Sequence, residues 1–342
     1  MSSPAEASDN VIPSEARDLL SPVAPGGGDS YTTAMRTPTV IRSLTSLHII
    51  GSLGVLPAPA GAQATSSMSV PSLFAPNVVS TPDSGEAFGT LTPDGREFYF
   101  TKHHDFARHH IMVSRLAQGE WSQPELVPIS GVYNDREPRL SPDGKRLYFS
   151  SNRPITPGDT ARRRNLDLWF SDRQPNGQWG TPRHIQGAVN GDANDFSPVV
   201  TANGTLYFVS TRAGAIGGGA RPHNVWRARP IDVANGVWAT PENAGPGINA
   251  GFEANVFVSP DESLMLVSRD GAPDGLGGDD LYFSRRIGGA WQPMRHLPQP
   301  INSKEYEYGP AISPDGQWLF FTSHRTGNGD IFRVSAGELD RE

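Results

Sequence analysis

Acidic and basic side chains recur at matching places along this 342-residue sequence. Glu86, Asp135, Asp195, Glu253 and Glu307 each stand eight residues ahead of an Asp or Asn in a turn motif. Lys102, Arg153, Arg212, Arg269 and Arg325 each close the apolar run that follows the turn. A third position opens the next run and reads His110, Asp167, Asn224, Asp280 and Asp330. Two chemistries suit such a set. An arginine held between carboxylates locks neighbouring segments through paired hydrogen bonds. A ring of acids around a pore mouth would instead bind a cation, a sugar or a basic peptide. If paired, the acids are expected to titrate low and to contribute stability that is lost on acidification. Glycoside cleavage asks for asymmetry: two carboxyl groups about 5–5.5 Å or 6.5–9.5 Å apart, one with a raised pKa. Five equivalent acids lack it, and the departures from equivalence are Glu137, an extra acid in the second repeat, and Tyr306 and Tyr308 in the fifth.

Other groups are less regular. His103, His104, Asp105, His109 and His110 could supply imidazole and carboxylate ligands to a divalent cation. Adjacent strand residues point to opposite faces, so only part of that set can converge, and a solvated loop is the plainer expectation. Asp270, Asp274, Asp279 and Asp280 lie in a Gly-rich stretch that could wrap calcium but lacks the helix-flanked twelve-residue pattern. Arg162, Arg163 and Arg164 read as a solvated run or a docking patch for an acidic partner. No G-x-S-x-G or H-E-x-x-H signature is present.

The elements that would position these residues follow from the turns. Thr92-Pro93-Asp94-Gly95 recurs as Ser141-Pro142-Asp143-Gly144, Thr201-Ala202-Asn203-Gly204, Ser259-Pro260-Asp261-Glu262 and Ser313-Pro314-Asp315-Gly316. Pro presets φ, Asp bonds nearby backbone, and Gly takes positive φ. Glu262 puts that last position in question in the fourth repeat. Each turn precedes an apolar strand such as Leu147-Tyr148-Phe149, then a third strand such as Leu168-Trp169-Phe170. Four repeats continue with a Trp and then a Pro (Trp121 and Pro124, Trp179 and Pro182, Trp238 and Pro241, Trp291 and Pro293), expected to start an outer strand. The aromatic residues are expected to fill the core between repeats. Four strands per repeat of about 55 residues predicts an all-β, five-bladed β-propeller. The fifth repeat lacks its Trp and Pro, and residues 73–79 precede the first repeat at the matching spacing. The N-terminal strand is therefore predicted to complete the last blade and close the ring. The start of strand one, the end of strand two and the start of strand three then share one face of the disk, which gathers the acids and bases on one rim.

The Ser-Pro-Asp-Gly turn, the Leu-Tyr-Phe strand, the Ser-x-Arg after it and the Gly-Asp-Leu-Tyr opening of the third strand resemble the TolB-type, WD-repeat-like propeller family. The resemblance covers about residues 70–335. It implies a propeller engaged in periplasmic protein–protein work, and its motif residues are architectural, so it implies no activity.

Composition narrows the rest. Lys and Arg number 29 against 36 Asp and Glu, a net charge of −7, which argues against a nucleic-acid partner. No cysteine is present, which excludes disulfides, thiolate metal sites and a Cys nucleophile. Residues 1–34 read as a disordered leader that translation from Met35 would omit. Residues 35–64 read as a signal peptide, with Arg36 and Arg42, an apolar stretch at 43–56 and an Ala62-Gln63-Ala64 cleavage site. The stretch is too short for a membrane span, and the propeller would occupy 65–342. The expected protein is periplasmic or secreted, monomeric and without a required cofactor. It would bind an envelope protein or glycan through its loop-rich face, or act as a glycoside hydrolase or lyase through mouth carboxylates.

Overall fold

The computed structural model describes residues 68–104, 108–156, 158–217 and 222–341. The leader and signal peptide expected over 1–64, and Asp105, lie outside the described residues. Five antiparallel sheets follow one another along the chain. Their first strands are Gly85–Leu91, Asp135–Leu140, Asp195–Val200, Phe252–Val258 and Glu307–Ile312. Each touches the first strand of the next sheet, and the last touches the first, so they form a closed inner ring. The chain is thus a five-bladed β-propeller. Ser72–Leu73 pairs antiparallel with Arg333 and Phe332 of the fifth blade, so the N-terminal strand completes that blade.

Burial is concentrated between blades. Five hydrophobic clusters each join two neighbouring blades. Sheets stacked face to face bury alternate residues from both sides, which explains Leu-Tyr-Phe as a strand buried on both faces. The Tyr of one blade meets the Trp of the next: Trp179 Nε1 donates to the Tyr99 hydroxyl at 3.2 Å, and Trp238 lies edge-on to Tyr148 at 6.3 Å. The tryptophans do not start the outer strands. Trp121, Trp238 and Trp291 sit in short hairpin strands of their own. The outer strands follow the prolines and are only two residues long, as at Glu125–Leu126 and Arg183–His184. Such short edges offer little template for pairing with another chain.

The turns form by local chemistry. Ser141 Oγ donates to Asp143 Oδ1 at 2.6 Å, and Asp143 accepts from the Lys145 amide at 3.1 Å. Asn203 makes the same turn with Thr201. Glu262 takes φ +57° in place of Gly, and its carboxylate is held by Arg286 and by Thr201 Oγ1 of the preceding blade.

A second ring was not foreseen. Two residues after the acid, Phe88, Glu137, Ser197 and Gly309 adopt φ between +55° and +62°, at breaks in the inner-strand ladder. The bulge aims one backbone amide across to the neighbouring blade. Glu137 N donates to Thr101 Oγ1 at 2.9 Å, Ser197 N to Ser150 Oγ at 3.2 Å, Gly309 N to Asn255 Oδ1 at 3.2 Å and Phe88 N to Thr322 Oγ1 at 3.3 Å. In the fourth blade Val256 N takes the Ser197 hydroxyl instead, at 3.2 Å. Hydrogen bonds therefore circle the channel.

Candidate functional site

The five repeated acids are fully buried, and each meets the base of its own blade. Arg212 reaches Asp195 at 2.6 Å, Arg153 reaches Asp135 at 2.7 Å and Arg269 reaches Glu253 at 3.0 Å. Arg325 reaches Glu307 at 3.3 Å and Lys102 reaches Glu86 at 3.4 Å. The acids also collect local donors: Glu307 accepts from Ser303 N, Ser303 Oγ and Ser323 Oγ at 2.6–2.8 Å. The arginines do a second job that the sequence concealed. Arg153 donates to Ile129 O, Arg212 to Ala188 O, Arg269 to Ile248 O and Arg325 to Ile301 O. All four carbonyls lie on the segment arriving from the preceding blade. Each guanidinium also lies over aromatic rings, as Arg153 does over Phe149 at 4.9 Å, a contact favoured for its flat, delocalised charge.

The third-strand residues take other partners. Asp167 pairs with Arg163 and His184, both at 2.7 Å. Asp280 accepts from Leu276 N at 2.5 Å and faces His296 at 3.6 Å, while Asp330 accepts from Thr326. The same segments hold a repeated Asn or Ser that reasoning from sequence passed over. Asn190, Asn249 and Asn302 each exchange two hydrogen bonds with the third-strand backbone of their own blade. Ser80 and Ser130 stand in the corresponding places. The column Val-Ser, Ile-Ser, Val-Asn, Ile-Asn, Ile-Asn ahead of each acid was the available signal.

Burial corrects the expectation that all paired acids titrate low. In Asp195 and Glu253 burial outweighs the Arg212 and Arg269 cations and raises the pKa. A carboxyl raised in the folded state contributes stability that is present below its ordinary pKa and lost as pH rises through the folded value. These two pairs therefore oppose acid unfolding. In urea titrations at pH 4 and pH 7, Asp195→Asn is expected to show a deficit against wild type that narrows toward pH 7. A deficit that widens toward pH 7 overturns this sign.

Glu137 is 3% exposed and sits in the wall between blades two and three, where Ser150 Oγ and Ser197 N donate to it at 2.6 and 2.7 Å. The histidines of the first blade separate. His103 and His109 are buried with ring centroids 5.0 Å apart, and His109 Nδ1 lies 2.9 Å from Asn134 Oδ1. His104 is exposed near the Asp83 carbonyl. His110 faces a groove of about 350 Å³ that it shares with Lys102 and Met112. Among the described residues no group of three or more His, Asp or Glu is placed to hold a metal ion. Asp274, in the candidate calcium stretch, accepts from the Tyr282 hydroxyl at 2.7 Å.

The asymmetric chemistry gathers at the axial mouth. The residue after each acid reads Ala87, Arg136, Phe196, Ala254 and Tyr308, and Arg136 is the one charged member. Its side chain is 24% exposed, lies 5.9 Å from the Phe196 ring and meets Glu137 Oε1 at 3.5 Å. Its Nε is buried without a hydrogen-bond partner. Burial and the Arg136 charge push His109 down to about 3 and His223 down to about 4, so both are neutral at pH 7. His223 stacks on Phe252 at 3.8 Å, with its Nδ1 buried and unpartnered. In the fourth blade Asp270 and Asp279 stand directly opposite across two strands, a like-charge pair that destabilises a sheet. Burial, then Asp270, pushes Asp279 up to about 7. Tyr308 is raised by burial and by Asp279, and lowered by Arg136, so one phenol senses both charges. His324 lies 3.4 Å from its hydroxyl. Asp279 was noticed in the sequence only as a calcium candidate, and Arg136, His223 and His324 were not singled out. Departure from the repeat at an otherwise uncharged column was the signal for Arg136.

The fold has solved relatives. TolB from Acinetobacter baumannii is 17% identical with a TM-score of 0.45, covering 74% of this chain and 54% of its own. This chain thus spans about half the length of that TolB. A putative TolB from Agrobacterium tumefaciens is 16% identical with a TM-score of 0.43, covering 71% of each chain. A glycoside hydrolase is 8% identical with a TM-score of 0.51, covering 79% of this chain and 91% of its own. These likenesses concern the propeller fold. No family profile and no curated protein matches the sequence. No helix among the described residues is long and apolar enough to cross a membrane.

Proposed function

We propose that this chain is an exported, TolB-like binding propeller that recognises an envelope component from its strand-start face without chemical turnover. The observation that carries the reading is the state of the five repeated acids. Each is buried and ion-paired, so the ring offers no pair of free carboxyls to a glycosidic bond. What the mouth presents is the Arg136 guanidinium among aromatic rings and neutral imidazoles, with the Asp270–Asp279 pair on the fourth blade, a surface suited to binding. Incubation of the protein with neutral and acidic polysaccharides is expected to release neither reducing ends nor unsaturated products. Cleavage of any of them overturns the scaffold reading.

One feature favours the second reading, a glycoside hydrolase or lyase. Burial and then the Asp270 charge raise the proton affinity of Asp279, and Asp270 stands opposite it across the strands, as an acid beside a second carboxyl requires. On that reading Asp279→Asn removes whatever cleavage the panel reveals.

A further inference from the structure

The mouth holds a guanidinium on blade two and a facing pair of carboxyl side chains on blade four, each short of partners. Among the described residues the Arg136 guanidinium donates no hydrogen bond, and its one ion pair is the 3.5 Å contact with Glu137. Glu137 in turn spends Oε2 on Ser150 and on the Ser197 amide. A planar cation with free N–H groups, partly open to solvent, is the group best matched to a carboxylate, which it can grip through two parallel hydrogen bonds. Buried Nε and the buried Nδ1 of His223 are polar atoms that a native interior rarely leaves unmatched. The neighbouring histidines are neutral, so they offer hydrogen bonding without competing charge.

Across the mouth, Asp279 is 8% exposed, and its carboxyl accepts no hydrogen bond among the described residues. Asp270, opposite it on the neighbouring strand, is exposed. Both carry acceptor oxygens suited to hydroxyl or ammonium donors. A run of ring contacts joins the two sides: Arg136 lies 5.9 Å from the Phe196 ring, Phe196 5.4 Å from His223, His223 3.8 Å from Phe252, and Phe252 pairs with Asp270 across the strands.

We infer that the axial mouth binds a small carboxylate carrying donor groups a few bonds from its charge, with Arg136 gripping the anion and Asp270 and Asp279 accepting from the donors. Hydroxyls of a sugar acid and the ammonium of an amino acid are two sources of such donors. The inference rests on the binding reading above and specifies its ligand.

The test is calorimetric titration of the full chain with D-glucuronate, its neutral methyl ester, glycine and acetate. Glucuronate is expected to bind at least about tenfold more tightly than the ester, and Arg136→Gln, shown to be folded by a cooperative melt, to weaken it by about tenfold or more. Asp270→Asn, at an exposed position, is expected to weaken glucuronate while leaving acetate unaffected. Glycine binding that needs both Arg136 and Asp270 supports the site and assigns the donor as ammonium. The inference is overturned if none of these carboxylates binds below about 10 mM, or if Arg136→Gln binds glucuronate as wild type does. Failure of carboxylate binding leaves the scaffold reading standing. Cleavage of a glucuronide would remove the scaffold reading and leave the site.

Discussion

Arg139→Met is expected to lower stability by about 3–5 kcal/mol, as removing one partner from a buried charged network does. For a domain of this size that is a fall in Tm of roughly 6–20 °C. The residue leaves the inner strand of blade two and crosses the channel. Its Nη2 donates to Pro310 O at 2.6 Å and its Nη1 to Gly89 O at 3.2 Å, on blades five and one, and its guanidinium lies 5.6 Å from the Phe257 ring of blade four. Arg139 is 5% exposed, and burial lowers its pKa to about 10 while the Glu137 charge opposes that shift. Methionine keeps the apolar stem and removes the fork, so two carbonyls lose their donors and Glu137 loses a compensating cation. The double variant Glu137→Gln with Arg139→Met should recover about 1 kcal/mol or more, because it also removes the stranded charge. A single variant melting within about 2 °C of wild type would show that Arg139 does not tie the blades together.

Arg139 also shows which parts of this protein were legible. The turns could be read because their chemistry is local: Ser141, Pro142, Asp143 and Gly144 act on one another within a few residues. The acid and base columns could be read because both partners carry a charge in sequence. Arg139 stands where the other repeats have Thr90, Val199, Phe257 and Ala311, and its acceptors are backbone carbonyls, which leave no trace in residue type. The same holds for the second bond of each rim arginine, to Ile129 O or Ile248 O. The bulges were hidden for a related reason. Phe88 and Glu137 are not residues that announce positive φ, and the conformation is imposed by a hydrogen bond to the next blade. Pairing was visible and its energetic sign was not, since the rise at Asp195 comes from burial.

These observations divide the rim from the mouth. The repeated residues hold blades and incoming segments together. Arg136, His223, Asp279 and Tyr308 occur once each, and Arg136 Nε and His223 Nδ1 are buried there without hydrogen-bond partners among the described residues. Sequence reasoning weighed the repeated acids as candidate ligands, whereas at the mouth the unmatched nitrogens belong to residues that break the repeat, Arg136 and His223. A propeller separates these tasks readily, because blade packing needs the same contacts five times and a ligand on the axis needs each contact once.

Ring closure supplies the other large effect. Phe74→Ala is expected to lower stability by about 3–5 kcal/mol, the range for deleting a fully packed aromatic side chain. Phe74 follows the two-residue closing strand, and its amide donates to Ile331 O at 2.8 Å. Its ring, 3% exposed, meets Phe98 at 4.5 Å, Phe320 at 5.0 Å and Trp121 at 5.3 Å, so one side chain joins blade five to blade one. Two ladder positions are too few to hold a strand by hydrogen bonds alone, so the burial of Phe74 must anchor it. Phe74→Leu restores much of the apolar volume and should recover more than half of the loss. Amide exchange distinguishes a cavity from an opened seam. If the ring opens, protection falls first along Asp330–Ser335, the neighbour of the closing strand, while Asp195–Val200 on the far side keeps its protection. Equal loss of protection across all blades would instead mean that the ring unfolds as one unit and that the N-terminal strand does not act as its latch.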